Sequence, residues 1–531
     1  MDLNSAQVSA LARIVEEATR ADPKTIARFV EPAHGTLDRA KSARPHIVFG
    51  RRGSGKSSLL RKAYAVLSLE RKPAAYVDLE AFKGHSYPDV LLSVLIASLS
   101  KFEEWLETTG SYSAAKKAWW DRLFASKPSA PPIDKSRLSQ VKIDLVKIKT
   151  ELESLLYAQD GAAIDTRVKV EQTTATSVEG GVDLAKVVTV ASTAEEKRAA
   201  AVEQREQTQR NKTDVLHRSI MRFQKLYSDI STLGKGSAYL FLDDLYHLRR
   251  EDQASVLDYF HRIAKNNGVW IKCGSIRHRT DHYRHGNPPT GMKLGDDADE
   301  IDLDLTLEKY QTTKAFLVKV LTGLFSEAGI DSLGDVITDT ALDRLVVASG
   351  GVARDFLTIF RKSIDFARER GGNDARGPRI GGEDVNRAAG EHDTSKRDEL
   401  RRDAAQEETS RLEAALAIVR QHCLEDTEVN CFLIERDIET RRRAVIDELL
   451  DLKMLHLVHS RVTIPVRQGK YFTAYMLDLS QYTGDRKRRN LEMLDFSADP
   501  GREALRRVKL IFDLTRIPLS ADHPQPGTAQ V

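Results

Sequence analysis

His46-Ile47-Val48-Phe49-Gly50-Arg51-Arg52-Gly53-Ser54-Gly55-Lys56-Ser57-Ser58 leads from a short apolar run through GxxxxGK[ST] into a helical pattern, Ser58-Leu59-Leu60-Arg61-Lys62-Ala63-Tyr64. Glycines let the backbone curl until successive N–H groups face one point, and the helix that follows aims its positive N-terminus at the same point. Such a loop cradles phosphates. The pattern predicts that Gly50, Arg51, Arg52, Gly53, Ser54, Gly55, Lys56, Ser57 and Ser58 hold a nucleotide triphosphate, with Lys56 on the β and γ phosphates and Ser57 on Mg2+. The apolar strand before the loop and the helix after it supply the context that chance matches lack.

A phosphate loop needs an acid on a neighbouring strand for the magnesium shell. Ala238-Tyr239-Leu240-Phe241-Leu242-Asp243-Asp244-Leu245 is a buried-strand run ending in two acids, at the end where open α/β sheets place their ligands. Asp243 fits the metal shell and Asp244 fits a base that polarises the attacking water. The plainer alternative is that these carboxylates cap the following turn. Ala74 to Leu79, Val269 to Ser275 and Glu300 to Leu305 read as further core strands, making five with the first two. Val256, Leu257, Phe260 and Ile263 recur at helical spacing between the acid strand and the next, as a crossover helix on a parallel sheet requires. Right-handed crossovers then predict a doubly wound three-layer sandwich.

The chain of 531 residues is too long for one core, so about two to four domains are expected. Its 41% hydrophobic and 30% charged residues describe a globular, helix-rich protein. The 81 basic and 78 acidic residues nearly cancel, to a formal charge of +3, so any nucleic-acid surface must be a local patch. Cys273, Cys423 and Cys431 are scattered without metal-ligand or disulfide patterning. A reducing cytoplasm is the expected place. No apolar run approaches the ~20 residues of a spanning helix, and the first residues lack the pattern of a signal peptide.

Downstream, residues 308–371 read as helices and contain Ala348-Ser349-Gly350-Gly351-Val352-Ala353-Arg354-Asp355-Phe356-Leu357. A phosphate-loop strand, an acid-pair strand, a strand ending in a polar residue and a helical lid bearing G-x-x-R together resemble the AAA+ class of ATPases. Within it the arrangement is similar to the origin-recognition (initiator) branch and the related STAND ATPases. The resemblance implies ATP and Mg2+ as cofactors and ATP hydrolysis as the activity. It implies Ser275 at the first sensor position, or Arg277 if the STAND pattern applies, and Arg354 at the second, reaching the γ-phosphate from the lid. Removal of that phosphate would release an anion that Arg354 bridges, letting the lid change its angle. An Arg near a helix start is otherwise commonly a surface residue. AAA+ proteins often complete their sites with a neighbour's arginine, for which Arg277, Arg279 and Arg284 lie in the right region; without one, a monomeric switch is expected.

The gap between the second and third strands is far longer than a crossover needs. Within it, Trp119-Trp120 and a Pro-rich linker at 127–132 precede Leu138, Val141, Leu145, Ile148, Leu152 and Leu155, spaced as a short coiled-coil seam. Hairpin-like segments at 168–190 and a charged helix over about 193–232 follow. The seam predicts a surface for a partner or for self-assembly, against the alternative of an arm packed on its own sheet domain.

From about residue 408, Leu412, Leu416 and Val419 form one helical face, Cys431 to Ile434 a strand, Ile438 to Leu452 a helix, and Leu455 to Val458 and Tyr471 to Leu477 two more strands. This order resembles a winged helix, although no separate helix precedes Arg441. Arg441-Arg442-Arg443 and Arg486-Lys487-Arg488-Arg489 are basic clusters suited to DNA phosphates, or else solvated faces.

The expected division is 1–80 with 233–306 as the nucleotide-binding sheet domain, 81–232 as the inserted arm, 307–390 as the lid, 408–482 as the winged-helix-like domain and 520–531 as a disordered tail. No nuclease or other effector motif is present. The sequence thus predicts an ATP-driven switch that moves lid and winged helix to engage a protein partner or DNA, with a phage-defence or mobile-element setting suggested by the resemblance. A DNA-loading initiator or transposition-type regulator is the first alternative, and a phosphoryl-transferring kinase the second.

Overall fold

The computed structural model describes residues 2–20, 25–110, 135–157, 212–371, 377–403, 406–436, 441–483, 491–494 and 503–518. Trp119-Trp120, the linker, the hairpin-like segments, residues 193–211, the 486–489 cluster and the 520–531 tail lie outside them.

Five strands, β1 (His46–Phe49), β2 (Ala74–Asp78), β3 (Ala238–Asp243), β4 (Val269–Ser275) and β5 (Asp299–Asp302), form one parallel sheet in the order β2-β3-β4-β1-β5. The five runs expected from the sequence are these strands; the last begins one residue earlier and ends at Asp302. Every residue of β1 and of β3 is buried, as the near-continuous apolar runs of a two-sided parallel sheet require. Alternate side chains divide between two cores. Ile47, Phe49, Leu240, Leu242, Ile271 and Cys273 face one way, whereas Val48, Tyr239, Phe241 and Ile301 face the other.

The second of these faces is covered by α2 (Lys56–Leu69), which follows the phosphate loop and packs Leu59, Leu60, Ala63 and Leu67 onto the sheet. The first face is covered by α3 (Asp89–Gly110), α5 (Ile220–Leu233) and the crossover helix α6 (Arg250–Ala264), whose Val256, Leu257, Phe260 and Ile263 are buried as the spacing predicted. The α/β sandwich with its phosphate loop is therefore the fold of this region. Truncating one of its fully buried leucines to alanine costs roughly 2–5 kcal/mol.

The inserted helix α4 (Lys135–Tyr157) turns the expected seam inward. Val141, Leu145, Ile148 and Leu152 are buried, and Leu138 and Leu155 pack against the same core. Its neighbours are α3 and α5 of this chain. Lys142–Glu107 at 2.9 Å and Arg137–Asp229 at 3.4 Å, with Lys149–Glu103 and Arg222–Glu151, rim the contact. The three-and-four spacing was sound, but the partner of the seam is the sheet domain's own helical layer, so these residues are not an open self-assembly surface.

Beyond the sheet come α7 (Tyr310–Glu327), α8 (Asp339–Ser349), α9 (Ala353–Arg370) and α10 (Gly382–Asp403). Thr338 caps α8 by accepting the Ala341 N–H, and Gly350 ends it at φ 55°, a conformation that favours glycine. The N-terminal helix α1 (Ala6–Ala18), capped by Ser5, packs on α9 and α7. Next are α11 (Gln406–Gln421), β6 (Cys431–Glu435), α12 (Arg441–Asp451), β7 (Leu455–Thr463) and β8 (Tyr471–Leu477), the strands pairing antiparallel in the order β6-β8-β7. Residues 503–518 return to this module: the Phe512 N–H donates to Leu433 O at 2.8 Å, and its ring packs on His422 and Phe432. One continuous apolar core runs from α1 through the lid helices to this last segment. Among the described residues, no helix is long and apolar enough to cross a membrane.

Candidate functional site

The loop between β1 and α2 curls as its glycines allow. Gly53 takes φ 89°, and a Cβ there would stand 2.7 Å from Arg354 Cβ and 3.1 Å from Val352 Cγ1, so only glycine lets the lid approach so closely. Arg52 to Ser58 line a cavity whose other walls include Asp244, Tyr246 and Arg354. Lys56 is buried, and its Nζ donates to Gly50 O at 2.9 Å and Arg51 O at 3.3 Å. Burial pushes its ammonium below the ordinary lysine range, against the pull of Asp244 and Asp243. Ser54 Oγ is buried with no hydrogen-bond partner among the described residues. A glycine-curled loop, a buried lysine and an orphaned hydroxyl at one cavity fit a triphosphate, and the Ser57 hydroxyl on the same wall is the kind of ligand Mg2+ takes.

Asp243 ends β3 almost fully buried, behind Asp244 rather than on the cavity wall. Its Oδ1 accepts the Asp244 N–H at 3.0 Å. Asp244 adopts φ 58° and ψ 47°, and its side chain makes no capping bond to the short helix that follows, whereas Asp243 does hold the first N–H of that turn. Burial, then the neighbouring Asp243, pushes its carboxyl up to about 7, with Lys56 opposing. A carboxyl so raised on a cavity wall suits a group that accepts a proton from water near neutrality.

The lid reaches the loop through the first turn of α9. The Arg354 N–H donates to Gly53 O at 3.2 Å, and its Nε donates to Thr19 O at 3.1 Å, so loop, lid and N-terminal segment meet at one residue. Arg51 turns away from the cavity. Its backbone N–H donates to Asp304 Oδ1 at 2.8 Å and its guanidinium to Leu305 O at 2.8 Å and Gly350 O at 3.0 Å, which ties the loop to the start of the lid. Gly50 and Arg51 shape the loop from behind, outside the cavity lining.

The first-sensor candidates lie outside the cavity lining, unlike Arg354. Ser275, fully buried at the end of β4 opposite Phe49, bonds Thr280. Arg277 sits 4.5 Å over the Phe49 ring and pairs with Glu300 and, at 3.1 Å, Asp302. Neither lines the cavity. Arg284 donates to Glu251 O at 2.7 Å and Arg250 O at 2.8 Å, inside the chain, and the carbonyl of Arg279 lies 3.5 Å from Gln253 Nε2. Of the basic cluster on α12, Arg441 is exposed, Arg442 donates to Ile517 O at 2.9 Å and Arg443 to Arg436 O at 2.8 Å.

Sequence reasoning missed the N-terminal wall. Thr19 lines the cavity beside Arg354, and Ile26, Phe29 and Val30, with Phe316 and Leu357 of the lid, give it an apolar end suited to a flat base. No local pattern in 19–30 signals this, because the contact is made across some three hundred residues.

No family model and no curated protein matches the chain. Among solved structures it is similar to the Aeropyrum pernix ORC1 protein in complex with DNA, at 14% identity over 90% of each chain and a TM-score of 0.33. A Walker-type ATPase of Pyrococcus abyssi is similar at 13% identity, covering 86% of this chain and 93% of that one, with a TM-score of 0.38. Thermotoga maritima RuvB covers 48% of this chain and 87% of its own at 12% identity and a TM-score of 0.23. Likenesses this distant add no weight to the site, which stands on its loop, acids and cavity.

Proposed function

We propose that this chain is an ATP-binding and ATP-hydrolysing switch of the AAA+ type, in the initiator/STAND arrangement, which couples movement of the lid and a winged-helix-like C-terminal module to a protein partner or DNA. The observation that carries the reading is the single cavity walled by Lys56, Asp244 and Arg354, where the lid's first turn bonds the phosphate loop at Gly53. In this reading Lys56 and the loop N–H groups bind the triphosphate, Ser57 and Asp243 serve the metal shell, and Asp244 takes the proton of the attacking water. Bound Mg2+ would supply neutralisation of phosphate charge. Arg354 would sense the γ-phosphate and, through the rigid helix behind it, set the lid angle.

Engagement of a protein is favoured over DNA by the internal bonds of Arg442 and Arg443, which leave Arg441 as the exposed member of that cluster. A role beside an effector in phage defence or a mobile element remains part of this proposal. The test is nucleotide binding and turnover in Lys56→Ala and Arg354→Ala. Lys56→Ala is expected to lower turnover on the order of 10²-fold or more, and Arg354→Ala to slow turnover while ATP still binds. Unchanged turnover in Lys56→Ala overturns the site.

A further inference from the structure

We propose that Tyr76 is a positioning residue for the Asp243 carboxylate, fixing the direction in which that acid offers its lone pairs. The inference rests on the reading of Asp243 as a metal-shell acid. Tyr76 on β2 stands opposite Phe241 of β3, so Asp243, two residues further on, is its diagonal neighbour on the same face of the sheet. The phenol O–H donates to Asp243 Oδ2, and the other oxygen, Oδ1, already accepts the Asp244 N–H at 3.0 Å. Both oxygens of a carboxylate that is 1% exposed are thus held by this chain. Each oxygen carries two acceptor sites, so one on each remains available, and its direction follows from where the two donors sit.

The phenol is itself held. Its ring stacks on Phe241 at 6.2 Å, meets Tyr64 edge-on at 5.8 Å, and carries the Arg61 guanidinium 4.6 Å above it. On the opposite side of the carboxylate, Gly274 of β4 leaves the room it needs: a Cβ there would stand 2.5 Å from Asp243 Oδ1 and 2.8 Å from Leu60 Cδ1. An aspartate at a strand end ordinarily has rotamers to choose from. Here the backbone N–H and the phenol hold its two oxygens, and the absent side chain at Gly274 gives it room. A carboxylate that need not reorganise presents its oxygens to an incoming cation without first reorienting.

The experiment titrates Mg2+ against a non-hydrolysable ATP analogue bound to the full chain, in the wild type, Tyr76→Phe, Asp243→Asn and Phe241→Leu. Tyr76→Phe removes one oxygen and is expected to raise the Mg2+ midpoint about tenfold, with metal-free analogue binding and Tm close to wild type. Phe241→Leu loosens the stack that holds the phenol but keeps its O–H, and is expected to raise the midpoint by clearly less than Tyr76→Phe does. A midpoint unmoved in Tyr76→Phe but raised in Asp243→Asn overturns the role of Tyr76. An equal shift in Phe241→Leu also overturns it, because packing alone then accounts for the effect. A midpoint unmoved even in Asp243→Asn overturns the reading of Asp243 itself.

Discussion

Charge is taken out of water in two places, and the two are built in opposite ways. At the cavity, Lys56 donates to main-chain carbonyls, and Asp244 is driven up to about 7 by burial and by Asp243. At the joint between the lid and the C-terminal module, Asp355 and Asp478 meet buried cations. Asp355, next in sequence to Arg354, lies 3.1 Å from Lys453 of the C-terminal module and 3.9 Å from Lys396 of α10. Lys396 lies 2.7 Å from Asp478, which also meets His456 at 2.6 Å. Burial alone would raise both carboxyls, yet Lys453 and Lys396 outweigh it and hold Asp355 and Asp478 well below the ordinary value. At the cavity the acid on the wall is pushed toward neutrality, whereas at the joint the cations push Asp355 and Asp478 away from it.

That network sits directly behind the lid's contact with the loop. A Cβ on Gly350 would fall 1.9 Å from His456 Nδ1, so the turn between α8 and α9 is pressed against the C-terminal sheet while its carbonyl accepts from Arg51. The first turn of α9 therefore faces the cavity with Arg354 and the joint with Asp355.

The largest effect expected is on the joint. Lys396→Met leaves Asp478 and Asp355 buried with one cation fewer, and is expected to destabilise the fold by about 3–5 kcal/mol in urea unfolding. A loss under about 1 kcal/mol would mean the charges at the joint are solvated, as surface pairs are, and the contrast would collapse. At the cavity, Asp244→Asn is expected to lower ATP turnover by about 10²-fold or more while affinity changes little. Equal loss of binding and turnover would make Asp244 a structural or metal-shell group.

The smallest effect is a pH dependence at the edge of the joint. Asp451, on α12, accepts the His278 N–H at 3.2 Å; burial, with Asp304 nearby, pushes its carboxyl up to about 7. The folded state then keeps a proton that the unfolded chain releases above the ordinary 3.8, so this group lowers stability as pH rises from there to about 7 and has no further effect above. Asp478 has the opposite sign, its contribution being present above its ordinary value and lost on acidification. Asp451→Asn is expected to remove the decline between these pH values, read as the wild-type minus variant difference in urea midpoint. A difference that does not vary with pH would show that Asp451 stays ionised.

The seam of α4 shows how far sequence pattern reaches. Leu138 to Leu155 declared a buried helical face, but periodicity carries no address, and α3 and α5 occupy that face. Arg277 likewise followed the right strand, yet its fork lies over Phe49 against Glu300 and Asp302 of β5, which pair only through sheet register. Arg442 and Arg443 read as a charged surface until residues 503–518 and the end of β6 are folded onto them.

By itself the sequence determined the phosphate loop, the acid-ended strand, the crossover helix and the G-x-x-R turn, because each is fixed by steric and hydrogen-bonding demands within a dozen or so residues. Only the tertiary structure decided that Thr19, Ile26 and Phe29 wall the cavity, that Tyr76 holds Asp243, that Arg51 ties loop to lid, and that Asp355, Lys396, Lys453, His456 and Asp478 neutralise one another. Those contacts join residues far apart in the chain, and what selects them is the requirement that buried charges and polar atoms find partners wherever the packed sheet and helices bring them.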